Sequence, residues 1–312
     1  MGVVAKTLAE ISIAARDADP VSVLETFDET DFQALDFKSL NMSSGVFQNE
    51  NAAAAVLTGT LGGQDVLVLA FRGSDDPTDW KNDFQNINAD YPKFDKLFAL
   101  VDLYAAAHDL KVVVTGHSLG GALAENYMAH HKDHGDLSYQ AVTFASPGAL
   151  ISPGTDARIT DYVIGDDPIV FAGLHRKEIA DVVKADTTGA TEQLLIEKVQ
   201  DAQIPLSAAQ IHDSFDFAIQ QGDYHNRGAM VLLGDAAPIT TIEGLLTAPV
   251  SEHDPGNYLA LAELSPTDPV ITPPPANHNP LHEAVEALLQ AHWSQFDHFV
   301  AHVINQHHDL LY

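Results

Sequence analysis

Ser118 stands as a lone hydroxyl between Gly116 and Gly120 in the stretch KVVVTGHSLGGALAENYMAHH. An apolar run over 112–114 precedes it, and a helix-forming run follows from Leu119 to about His131. A turn from a buried strand straight into a helix is so sharp that side chains two residues either side of the serine would collide. Glycine at both positions permits the turn, and its strain pushes the serine oxygen out at the sheet's edge. The following helix points its first N–H groups at the same spot, which favours negative charge there. Gly121, Ala122 and Ala124 keep that helix thin against its neighbours. This pattern suits a nucleophile; the competing reading is a glycine-rich turn without chemistry.

A nucleophilic serine needs a histidine to take its proton and an acid to orient the histidine. In a strand–turn–helix setting of this kind the acid follows a later strand and the histidine comes last. YVIGDDPIV offers Asp166 and Asp167 at the end of a strand over 158–164. Hard-cation binding by Asp161, Asp166 and Asp167 is the other use of these acids, but their spacing matches no ligand pattern. Among sixteen histidines, His253 in SEHDPGNYLALAEL lies in a loop just before a helix, where the base belongs. His225, His292 and His298 are the alternatives, and His117 is expected to pack within the turn. His298 and His302 lie four apart on an expected helix, but no Glu or Cys completes a metal site, so no metal is assigned.

The elements that must hold these groups alternate. Strands are expected over 52–61 and 65–71 around a Gly-Gly turn, then a helix over 93–108, where apolar residues recur at helical spacing. The strand at 112–114 and its helix follow, then strands over 140–145 and 158–164. This alternation predicts an α/β fold with a mostly parallel central sheet and helices on both faces. Residues 176–221 turn helical and read as an insert or cap, and 229–235 returns to strand. The proline-rich stretch at 265–280 is loop, and 281–312 reads as a C-terminal helical extension. The whole, 1–312, is expected to be one domain.

The chain has 312 residues, 46% of them hydrophobic and 19% charged, enough apolar material for a sizeable core. Its net charge of −29 repels phosphates, which argues against nucleic acid as a partner. The acidity serves solubility, or life in salty water where salt screens self-repulsion. There are no cysteines, which excludes disulfides, thiolate catalysis and Cys-based zinc sites. The first twenty residues hold no long apolar region and read as a short amphipathic helix, with no signal peptide visible. No run approaches the ~18 apolar residues of a membrane span, so a soluble chain is expected, secreted or not.

GHSLGGALA resembles the nucleophile elbow of the class 3 lipases, the fungal-type triacylglycerol lipase family of the α/β-hydrolase fold. FRGSDDPTDWKNDF is similar to that family's strand-end motif, with Trp80 and Asp83 at its tryptophan and acidic positions, and VTFASPGAL is similar to a third family strand, with Ala145 and Ser146 as departures. The resemblance covers about 52–167. It implies that Ser118 is the nucleophile, that Asp167 rather than Asp166 is the acid, and that His253, followed by Asn257 and Tyr258, is the base. It further implies that Ser74 and the Leu119 N–H form the oxyanion hole and that Trp80 lies in the lid. Arg72 is expected to be structural, anchoring carboxylates. The lid stretch PTDWKND is polar, so weak activation at oil surfaces is expected, with the 176–221 helices as the alternative cap. The implied activity is a lipase that needs no cofactor and acts on a lipid or small acyl ester, an uncharged glyceride or short ester suiting the acidic surface best, with transient contact to a lipid interface. The alternatives are a carboxylesterase or feruloyl-type esterase and, from another class, an inactive hydrolase-fold binding module. Oligomeric state is left open.

Overall fold

The computed structural model describes residues 3–17, 25–26, 42–43, 45–74, 81, 85–135, 137–264, 269 and 271. The expected lid residue Trp80, the neighbouring Asp83, the histidines from His278 onward and the extension over 281–312 lie outside them.

Strands with Val, Leu and Ala at successive positions are apolar on both faces, and such strands belong in the middle of a covered sheet. This chain has them at β5 (Gln64–Phe71), β6 (Lys111–His117), β7 (Tyr139–Phe144) and β8 (Ile159–Ile164), and β6 and β7 are buried along their whole length. These four run parallel with β9 (Ala229–Leu233) beside β8. On the other side, β2 (Met42–Ser43), β3 (Val46–Asn49) and β4 (Ala52–Leu61) add antiparallel strands, and β1 (Glu25–Thr26) pairs with β4. The β4–β5 hairpin turns at Gly62 and Gly63, both at positive φ.

Helices cover both faces. On one side α1 (Val3–Asp17) packs on β5 and β6 and against α9 (Pro255–Ala262), burying Leu8 and Ile11 completely. On the other lie α2 (Asp95–Ala107) and α3 (Leu119–His130). Two apolar cores result, one per face. Phe71, at the end of β5, meets Phe94 and Phe98 edge-on with ring centroids 5.0 and 6.0 Å apart. Each such pair is worth about 1 kcal/mol beyond its buried area. Together they pin the strand end from which Gly73 and Ser74 continue.

The helix expected over 93–108 starts earlier, as a 3₁₀ turn at Tyr91–Phe94 that leads into α2. The helical stretch expected from 176 also starts earlier, at α4 (Pro168–Leu174), since proline fits the first turn of a helix. Then come α5 (Arg176–Ala185), α6 (Ala190–Asp201) and α7 (Ala208–Gln221), between β8 and β9. With α8 (Ile242–Thr247) they form a third apolar cluster around Phe171, Ile179, Ile211 and Phe215. Among the described residues no helix is long and apolar enough to cross a membrane.

Register decides what meets what. Phe71 pairs with Gly116, and His117 with Phe144. The carboxyl ends of β5, β6, β7 and β8 therefore open on one edge, and Ser74, Ser118 and Asp167 all follow those ends.

Candidate active site

Ser118 has φ 58° and ψ −124°, a left-handed backbone that costs a non-glycine residue on the order of 1–3 kcal/mol. The surroundings hold it there. Its N–H donates to the Phe144 carbonyl at 3.0 Å, continuing the β6–β7 ladder, and its carbonyl takes the Ala122 N–H at 3.1 Å, opening α3. A Cβ on Gly116 would come within 2.2 Å of the Gly120 carbonyl carbon, and one on Gly120 within 2.3 Å of the Phe71 oxygen. The two glycines thus let strand, turn and helix touch backbone to backbone.

The Ser118 Oγ–H donates to His253 Nε2 at 2.8 Å, and His253 Nδ1–H donates to Asp167 Oδ2 at 2.8 Å. The proton positions follow from the partners, because a carboxylate can only accept and so draws the imidazole proton to Nδ1. His253 ends a 3₁₀ turn, Val250–His253, between α8 and α9. Asn257 donates to the Ser251 carbonyl at 2.8 Å, and Asp254 caps α9 through the Gly256 N–H at 2.7 Å, so both sides of this turn are tied down. The Lys198 ammonium donates to the carbonyls of Leu246 and Ala248, tying α6 to the segment that leads into the turn.

Asp167 is 1% exposed. Its Oδ1 caps α4, accepting the N–H groups of Ile169 at 2.8 Å and Val170 at 3.4 Å. Its Oδ2 accepts from His253 and from the Tyr258 hydroxyl at 2.7 Å. Burial alone would raise this carboxyl's pKa, but the His253 charge and the hydrogen bonds from His253, Tyr258 and Ile169 outweigh it and hold the pKa below the usual value. Four donors to one buried carboxylate are what a charge needs to remain ionised away from water. Tyr258 in turn accepts the Ile164 N–H at 3.0 Å, and its own ionisation is pushed upward by burial and by Asp167.

Ser74 is buried and borders the same cavity as Ser118 and His253. Leu119 is the first residue of α3, where a helix offers its N–H no internal acceptor. His117 packs at the turn, its ring 5.0 Å from that of His253. His225 is not brought to Ser118; its backbone pairs with Ala149. Asp166 has no hydrogen bond to any of the three residues, and Asp161 lies buried under Thr143, whose hydroxyl donates to it at 2.6 Å. Among the described residues no three acids or histidines group as metal ligands. Arg72, expected to anchor carboxylates, donates instead to the Asn51 carbonyl.

Two functional contacts were not anticipated. The Tyr258 clamp on Asp167 has a sequence signal, a tyrosine in the otherwise apolar helical run NYLALA. The Lys198 tie has none, since its acceptors are backbone carbonyls.

A family model described as a Tle-like phospholipase domain matches residues 8–150. The chain is a lipase-like α/β-hydrolase. The matched part of the hydrolase carries Ser74 and the elbow, is a little under half of its 312 residues, and stops short of Asp167 and His253. Two solved structures are similar. The extracellular lipase LipA from Serratia marcescens is 24% identical over 51% of this chain, with a TM-score of 0.35. The hydrolase spans 30% of that lipase's length. M37 lipase is 16% identical, over 84% of this chain and 94% of its own, with a TM-score of 0.45. No curated protein matches.

Proposed function

We propose that this hydrolase cleaves acyl esters through an acyl-enzyme on Ser118. The Ser118 oxygen attacks the ester carbonyl as its proton passes to His253 Nε2, and Asp167 steadies the imidazolium. The carbonyl oxygen becomes an anion held by Ser74 and the Leu119 N–H, where one donor is worth on the order of 3 kcal/mol. The C–O bond then breaks and the alcohol leaves with the proton from His253. Water, losing its proton to His253, attacks the acyl group, and the carboxylic acid leaves as Ser118 takes that proton back. The helices between β8 and β9 cap the site within a single hydrolase domain.

The observation that carries this reading is the unbroken chain of hydrogen bonds from Ser118 through His253 to Asp167, at 2.8 Å each. The phospholipase-like match and the lipase neighbours support a lipid ester as substrate, a glyceride or a glycerophospholipid. The test is a fluorophosphonate probe with turnover of a short aryl ester. Labelling of Ser118 is expected, with loss of turnover in Ser118→Ala, His253→Ala and Asp167→Asn. Folded protein that neither labels nor turns over ester is the inactive binding module instead. Emulsified triacylglycerol, phospholipid vesicles and soluble esters assayed side by side separate lipase, phospholipase and carboxylesterase.

A further inference from the structure

Two cavities meet at Ser118. The wider one, about 690 Å³, is a polar vestibule bordered by Ser74, His253 and the carboxylates of Glu197, Asp201 and Asp254. The other is narrower, about 130 Å³, and runs from Ser118 into the helices that precede and follow β9. Its walls come from α4 to α8 and are almost entirely carbon, with Ile169, Leu195, Ile211, Phe215, Ala218 and Leu245 among them. Three polar side chains reach this lining, and each is engaged with the protein. The Ser214 hydroxyl donates to the Ile211 carbonyl. The Lys198 ammonium donates to Leu246 and Ala248. The Arg176 guanidinium lies 4.1 Å over the Tyr224 ring. Apart from Ser118 the cavity therefore offers a ligand hydrocarbon contact alone, and a polar or charged group entering it would lose its water for nothing in return.

We propose that this cavity is the acyl site: one unbranched hydrocarbon chain of the ester threads into the helical layer, its carbonyl at Ser118, while the alcohol part stays in the vestibule. The assignment rests on Ser118 acting as the nucleophile. A methylene transferred from water to such walls gains about 0.8 kcal/mol, so chain length is read directly in kcat/KM. The orientation follows from the contrast between the cavities. The carboxylate-bordered vestibule suits an uncharged or cationic alcohol, and the carbon-lined cavity suits only the chain.

The test is a series of aryl esters from acetate through butyrate and octanoate to palmitate. The full chain is expected to show kcat/KM rising by roughly a hundredfold from acetate to octanoate. Ala218→Phe, which fills the cavity, is expected to lower the octanoate-to-acetate ratio by about tenfold or more. Leu195→Ala, which enlarges it, is expected to move the preferred chain towards palmitate. A second measurement needs no variant: alkyl fluorophosphonates of increasing chain length should label Ser118 at increasing rates. Acetate turnover or Ser118 labelling with no dependence on chain length, or a ratio that neither substitution moves, overturns the acyl site and leaves the ester hydrolase standing. No acetate turnover together with no labelling overturns both.

Discussion

The Tyr258 hydroxyl donates to Asp167 Oδ2 at 2.7 Å, the same oxygen that takes the His253 Nδ1–H. Tyr258→Phe removes that donor and strands the Ile164 N–H, at a cost of about 2 kcal/mol. Asp167 is held below the ordinary carboxyl value, so its contribution to stability is present above about pH 4 and is lost as pH falls through its folded pKa. Taking a donor away raises that folded pKa. Acid unfolding of Tyr258→Phe, followed by circular dichroism, should begin at a higher pH than in the parent. An unchanged midpoint would remove the tyrosine from the support of Asp167.

The elbow makes a second claim. A Cβ at Gly120 would lie 2.3 Å from the Phe71 oxygen, and neither the end of β5 nor the start of α3 can retreat without breaking the turn. Gly120→Ala should cost about 3 kcal/mol and lower the melting temperature by roughly 10 °C. A melting curve matching the parent would show that the turn has slack.

Far from Ser118, Asp102 is fully buried and accepts from the hydroxyls of Tyr127 at 3.0 Å and Tyr139 at 3.1 Å. Burial pushes its pKa up to about 7 against those two donors, and burial also pushes the neighbouring His131, 3.6 Å away, down to about 4. Between those values the two groups are neutral and the contact is not an ion pair, because desolvation outweighs their attraction. For a carboxyl raised on folding, stability falls as pH climbs from about 4 to about 7. Asp102→Asn keeps an acceptor for the tyrosines and removes the titration. The variant should therefore match the parent near pH 4 and exceed it above pH 7 by up to a few kcal/mol. Denaturant midpoints at both pH values check this, and an equal difference at the two would refute it.

With a net charge of −29, self-repulsion opposes the folded state at low ionic strength. Raising salt from ~0.01 M to ~1 M shortens the screening length about tenfold, so the melting temperature should climb steeply over that range. A flat response to sodium chloride would mean that the acidic surface carries no net folding penalty.

Local rules made much of this legible in the sequence. Strand β4 is read from its own residues with its bounds unchanged, because alternation and a Gly-Gly turn are local signals. The elbow is equally local: two glycines, a serine, a preceding apolar run and a following helix are contiguous, so Ser118 could be singled out without knowing what lies opposite. Asp167 followed from its place after a strand. His253 was chosen among sixteen histidines by its order in the chain, and the structure brings it to both of the others.

What needed the tertiary structure is whatever depends on separated segments meeting. The pairing of Phe71 with Gly116 and of His117 with Phe144 puts the strand ends on one edge, and no single strand encodes that register. Tyr258 reaches Asp167 only because α9 packs beside β8. Lys198 finds two backbone carbonyls, which carry no residue-type signature. The carbon-lined cavity behind Ser118 exists only as the gap between packed helices. Composition and periodicity report the polarity of each helix face, while the volume left between faces is set by how the helices cross.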